Sequence, residues 1–98
     1  MKVFLNGNFI EEEEAKISVF DRGFLYGDGV FETLRIYDCK PFLLDRHIGR
    51  LSHGLGSLFI TEKYSFSEYL EFARELIERN NVTNGVLRIQ ASRGPGKR

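Results

Sequence analysis

Two groups of residues in this 98-residue chain have the types and the spacing to do chemistry. The first is "FDRGFLYGDGVFETLR", residues 20–35, where Gly23, Gly27 and Gly29 surround Tyr26 and lead to Phe31. Glycine accepts left-handed dihedrals and lets a backbone approach closely. The run therefore reads either as a turn entering a strand or as main chain passing near a bound molecule, with Tyr26 and Phe31 as its walls. Its G-x-x-x-G-x-G spacing is not G-x-G-x-x-G. No helix immediately follows it and no Lys-Ser/Thr pair closes it, so a nucleotide phosphate cradle is not expected. The second group is Arg46 and Arg50, one helical turn apart. A guanidinium offers a planar fork of donors suited to phosphate or carboxylate oxygens. The pair is either a solvated helix face or an anion grip.

Other chemistries find less support. His47 and His53 are six apart, the wrong spacing for one helix face, so metal binding is not expected. Ser18, Ser52 and Ser57 lack a nucleophile-elbow context. Fourteen acidic residues balance fourteen basic ones, so charge points to neither nucleic acid nor an anionic membrane as partner. The cations of "RGPGKR" have no neighbouring aromatics to stack bases. A single cysteine, Cys39, forms no internal disulfide, and with no signal peptide at the start this implies a reducing, cytoplasmic setting. No apolar run approaches the roughly 20 residues that span a bilayer.

The elements that would position these groups follow from periodicity. "KVFLNGNFI" predicts a hairpin turning at Asn6-Gly7. "EEEE" at 11–14 reads as a solvated edge or loop, and "AKISVF" as a second short strand entering Asp21-Arg22-Gly23. "VFETLRIYD" alternates, with Val30, Glu32, Leu34 and Ile36 on one face and Phe31, Thr33, Arg35 and Tyr37 on the other. "DCKP" is a turn, with "FLL" returning as its hairpin partner. Asp45 is the expected N-cap of a helix striped by Ile48, Leu51, Leu55 and Leu58. Gly49, Gly54 and Gly56 weaken that helix, which implies close packing against another backbone or a ligand. "SFSE" at 65–68 is a capping box for a second helix that Asn80-Asn81 stops. "GVLRIQAS" is a strand with Leu87, Ile89 and Ala91 on one face.

Taken together, "SVFDRGFLYGDGVFETLRIYDCKPFLLDRHIGRL" and "NGVLRIQASRGPGKR" resemble the N-terminal domain of the class IV pyridoxal-phosphate-dependent aminotransferases. That family includes branched-chain and D-amino-acid aminotransferases and aminodeoxychorismate lyase. The ordered set D-R-G, Y-G-D-G-V-F-E and H-x-x-R-L carries the resemblance, which runs over nearly the whole chain. It implies that Arg50 holds the cofactor's phosphate. It also implies that Tyr26 and Phe31 line the substrate pocket, that Thr33 borders the substrate side chain, and that Arg98 meets a substrate carboxylate. Residues 1–98 would then be the small N-terminal domain of a two-domain fold. That domain is α+β: an antiparallel sheet with two helices packed on one side.

The family's Schiff-base lysine lies in the larger C-terminal domain. Lys2, Lys16, Lys40, Lys63 and Lys97 do not fall in a matching context. The 98 residues are therefore expected to be an inactive portion of a homodimeric enzyme that moves an amino group between an amino acid and a 2-oxo acid. One alternative is aminodeoxychorismate lyase, which eliminates pyruvate with the same cofactor. Another is a stand-alone binding or dimerisation module.

Overall fold

A computed structural model describes residues 1–96. The chain opens with β1 (Lys2–Leu5) and β2 (Asn8–Glu11), paired antiparallel with Lys2 opposite Glu11 and Leu5 opposite Asn8. Asn6 and Gly7 both take positive φ, 49° and 91°, as a two-residue hairpin turn of this hand requires. A single 3-10 turn covers Glu12–Glu14, all exposed.

Residues 15–20 are not the expected strand. Among the described residues no strand offers this segment a ladder, and its apolar side chains lie outside: Ile17 is 59% and Val19 65% exposed. It leads instead into a five-residue helix, α1 (Arg22–Tyr26), which Asp21 caps by accepting from the Gly23 amide. Gly27 ends that helix in the left-handed region at φ 66°.

The main sheet is three-stranded and antiparallel, in the order β4 (Lys40–Pro41), β3 (Gly29–Tyr37), β5 (Gly85–Ser92). β3 and β5 pair from Gly29 opposite Ser92 to Ile36 opposite Gly85. The expected return strand through "FLL" shrinks to β4. Phe42 makes a last rung by donating to the Arg35 carbonyl, and Leu43 then turns left-handed at φ 55° to start the next helix. That helix, α2, spans Leu44–Ser57. Leu43 is its N-cap and provides no side-chain bond; Asp45 lies inside, in the first turn, where its charge faces the positive helix end. Helix α3 (Phe66–Arg79) starts from the expected capping box: the Glu68 amide donates to Ser65 Oγ and the Ser65 amide to Glu68 Oε1.

Both long helices cover one face of this sheet. Leu34 and Ile36 of β3 and Leu87 of β5 meet Leu44, Ile48, Leu51 and Leu55 of α2 and Ala73 and Ile77 of α3 in one buried core. The β1–β2 hairpin docks on α3. Phe4 stacks on Phe72 at 4.3 Å, and the Asn80 side chain bonds both the amide and the carbonyl of Lys2.

The glycines of α2 divide by environment. A Cβ on Gly54 would come within 2.8 Å of Val30 Cγ1, so this residue lets the helix sit close to β3. One on Gly49 or Gly56 would meet nothing within 4 Å. Gly56→Ala should therefore raise stability by about 0.5–1 kcal/mol, the helix-propensity difference. Gly54→Ala should lower it by about 1–3 kcal/mol, because the stiff Val30 side chain has to give. Urea unfolding of both variants checks the opposite signs.

Candidate functional site

The Asp-Arg-Gly run fastens the start of β3 to the end of β5. Asp21 is only 8% exposed. Its Oδ1 accepts from the Gly23 amide at 2.8 Å and its Oδ2 from Ser92 Oγ at 3.0 Å; that hydroxyl in turn accepts from the Gly94 amide. Arg22 donates from Nε to the Gly94 carbonyl and from a terminal nitrogen to the Arg93 carbonyl. Arg93 forks onto Asp28 and also donates to the Leu58 carbonyl at the end of α2. Residues 92–94 are thus held by residues 21–28. The glycines serve this clasp. A Cβ on Gly23 would lie 2.6 Å from Ser92 Cβ, and one on Gly29 2.5 Å from the Ala91 carbonyl oxygen. The close neighbour of Gly23 and Gly29 is the chain's own β5. Asp21→Ala strands two donors and should cost roughly 2–3 kcal/mol, against about 1 kcal/mol for Ser92→Ala. Chemical unfolding of the two variants separates these.

Beyond the clasp, the alternation of β3 creates two candidate surfaces. On the face away from the helices stand Phe31, 56% exposed, and Thr33. Arg88 of β5 lies opposite Thr33 and places its guanidinium carbon 4.2 Å from the Phe31 ring centroid, a cation–π contact. Arg35 continues the row. Tyr26, 76% exposed, ends α1 just before Gly27. Arg88 was missed in the sequence. Its outward position could be read from Leu87 and Ile89 facing in, but its pairing with Thr33 depends on strand register.

The second surface lies on the helix side. Glu32 occupies an inward position of β3, between Val30 and Leu34. Its Oε1 receives His47 Nδ1 at 2.7 Å and an Arg50 terminal nitrogen at 2.9 Å. The Glu32 and His47 side chains are 15% and 17% exposed, whereas that of Arg50 is 69% exposed. A groove here is lined by Leu43, Arg46, His47, Arg50, His53 and two glycines, Gly49 and Gly54. Both arginines line it, and none of its described lining residues is acidic. Such a donor set suits a phosphoryl group.

Arg50 is not beside Phe31. The two lie on opposite faces of β3, because Phe31 and Glu32 are consecutive strand residues. Within this chain the arginine-bearing and aromatic surfaces are separated by the sheet. Arg98 lies outside the described residues.

Comparison with known proteins places this geometry. The family model for amino-transferase class IV matches residues 29–98. The chain belongs to the class IV aminotransferases. It is 42% identical over 97 residues to a D-alanine aminotransferase of Staphylococcus epidermidis, covering 99% of this chain and 34% of that protein. A branched-chain amino acid aminotransferase of Escherichia coli superposes with a TM-score of 0.85 at 31% identity, over 91% of this chain and 31% of the other. A putative 4-amino-4-deoxychorismate lyase of Legionella pneumophila gives 0.83, also at 31% identity, over 89% and 32%. The chain thus spans about a third of the length of the relatives it matches. Class IV aminotransferases depend on pyridoxal phosphate and act on amino acids and 2-oxo acids. Among the described residues no helix is long and apolar enough to cross a membrane.

In this class IV chain the Glu32 carboxyl is held below its ordinary pKa. The His47 hydrogen bond is the chief cause and Arg50 adds to it, while burial opposes both. A carboxyl with a depressed folded-state pKa stabilises the fold fully above its unfolded value, and the contribution is lost as pH falls through the folded value. The melting temperature of the wild type minus that of Glu32→Gln should therefore fall on acidification from about pH 6 to about pH 3. A difference that stays flat would show that the charge at Glu32 contributes nothing to the fold.

Proposed function

We propose that the complete protein is a pyridoxal-phosphate enzyme exchanging an amino group between an amino acid and a 2-oxo acid, and that this chain is its small N-terminal domain. The observation that carries the reading is the cationic groove of α2, with Arg50 held at one nitrogen by Glu32 and otherwise open. Arg46 and Arg50 fit the cofactor's phosphate by charge and donor count, Arg50 through the N–H groups that Glu32 does not take up. A Cβ on Gly49 would meet no other described part of the chain, so there is open space beside the helix there. Bound pyridoxal phosphate would supply the electron sink for chemistry at the substrate Cα.

The residues of this chain bind and orient. Arg50 grips the phosphate. Phe31, Thr33 and Tyr26 shape the substrate side, and Arg98 takes a substrate carboxylate. Arg88, stacked on Phe31, adds a fixed cation to that wall. The Schiff-base lysine belongs to the rest of the protein, since this chain spans a third of its relatives and its own lysines match no such position. The chain alone is accordingly inactive. Ile17, Val19, Phe24 and Leu25 leave an apolar tract uncovered, which supports a homodimer. One free cysteine supports a cytoplasmic protein. Pyruvate elimination from aminodeoxychorismate is the second reading, favoured by the lyase fold match at the same identity as the aminotransferase one.

Arg50→Ala in the complete protein should weaken pyridoxal phosphate binding about 10- to 100-fold, the equivalent of one or two charge-assisted hydrogen bonds. Spectroscopic titration with the cofactor checks this, and unchanged affinity refutes the assignment of Arg50. Amino transfer to 2-oxoglutarate against pyruvate release from aminodeoxychorismate decides between the two reactions.

A further inference from the structure

Glu32 breaks the pattern of its strand. Val30, Leu34 and Ile36 face the helices as apolar residues, yet the position between Val30 and Leu34 carries a carboxylate with little access to water. Burying a charge is unfavourable unless partners compensate it, and here two donors converge on one oxygen, Oε1. The contact between His47 Nδ1 and the Arg50 nitrogen, 3.2 Å, follows from their sharing that acceptor. Chemistry also settles the histidine's tautomer. A bare Nδ1 at 2.7 Å from a carboxylate oxygen would set lone pair against lone pair, so Nδ1 carries a hydrogen and donates.

The consequence falls on Arg50. An arginine 69% exposed on a helix surface would ordinarily sample many rotamers, and binding would have to freeze them. Here one terminal nitrogen is fixed from behind, on the sheet side, and no described residue takes up the remaining N–H groups beside the groove.

We propose that Glu32 is a positioning residue. Its carboxylate, itself oriented by His47, holds the Arg50 guanidinium in the attitude that receives a phosphate. This rests on the reading of Arg50 as the phosphate anchor, and the two can fail separately.

The test uses the complete protein and two probes, pyridoxal phosphate and pyridoxal, which differ by the phosphate alone. Glu32→Gln keeps the shape and removes the charge. It should weaken pyridoxal phosphate binding about tenfold, the low end of what losing a supporting partner costs at ligand sites such as metal centres, and leave pyridoxal binding unchanged. In an Arg50→Ala background the same substitution should cost nothing further. His47→Ala, which removes the orienting donor but keeps the pair, should produce a smaller loss with the same selectivity, and serves if Glu32→Gln folds poorly. Equal weakening of both probes, a loss that persists without Arg50, or no loss at all would overturn the proposal. A wild type that binds pyridoxal phosphate no better than pyridoxal would instead overturn the phosphate-anchor reading, and the proposal with it.

Discussion

Neighbouring residues of a β-strand point to opposite sides, and in β3 this rule governs everything near the candidate site. Leu34 and Ile36 must face α2 and α3, because they complete the buried core with Leu51 and Ile77. Once they do, Glu32 is carried to the helix side, while Phe31 and Thr33 are carried to the open side. A slip of one residue in register would exchange the two sets and put Phe31 under α2. The apolar core therefore sets the register, and the register decides which polar group meets Arg50. The ladder with β5 then brings Arg88 to Thr33 and Phe31.

Such dependence needs the start of β3 to be held firmly, since a strand end would otherwise fray. The Asp21–Ser92 and Arg93–Asp28 contacts do this from two sides. Desolvation opposes ionisation at Asp28, but the Arg93 hydrogen bond outweighs it and holds the carboxyl below its ordinary value. Three glycines within seven residues are thus explained mechanically. Gly27 supplies a left-handed cap, and Gly23 and Gly29 allow contact with Ser92 and Ala91 that no side chain would permit. Arg93 also reaches the C-cap of α2 through the Leu58 carbonyl. The helix bearing Arg50 and the strand bearing Phe31 are consequently tied at the same end.

Much of this was legible in the sequence, for identifiable reasons. The Asn6-Gly7 hairpin, the Ser65–Glu68 capping box and the alternation of β3 are local signals, each written within a few residues, and each formed as its pattern implies. What failed involved relations between distant segments. Residues 15–20 are apolar enough for a strand, but a strand needs a neighbour, and the topology of the described residues gives them none. Asp45 looks like a cap by type, yet the left-handed turn at Leu43 starts the helix before it. Arg50 was singled out through the H-x-x-R-L pattern. Its tie to Glu32, eighteen positions away, appears only once α2 is laid on β3. The Gly23–Ser92 approach was equally invisible, because nothing in either local sequence names the other.

The separation of the two surfaces constrains how any site could be completed. A guanidinium on the helix side and an aromatic wall on the open side of one thin sheet cannot both enclose a small molecule from a single direction. A ligand meeting both has to pass around the sheet or be closed in by structure beyond these residues. The open face presents Phe31 and Val86, each more than half exposed, with Arg88 over the Phe31 ring; elsewhere in the chain Phe24 of α1 is 68% and Tyr26 76% exposed. Surface this apolar is costly to leave in water, at roughly 25 cal/mol for each Å². The same side chains that would shape a substrate pocket would also favour association with a covering domain or second subunit. On that view, closure of the pocket and burial of the apolar tract are one event, and the clasp at Asp21 keeps the chain's half of the surface in shape beforehand.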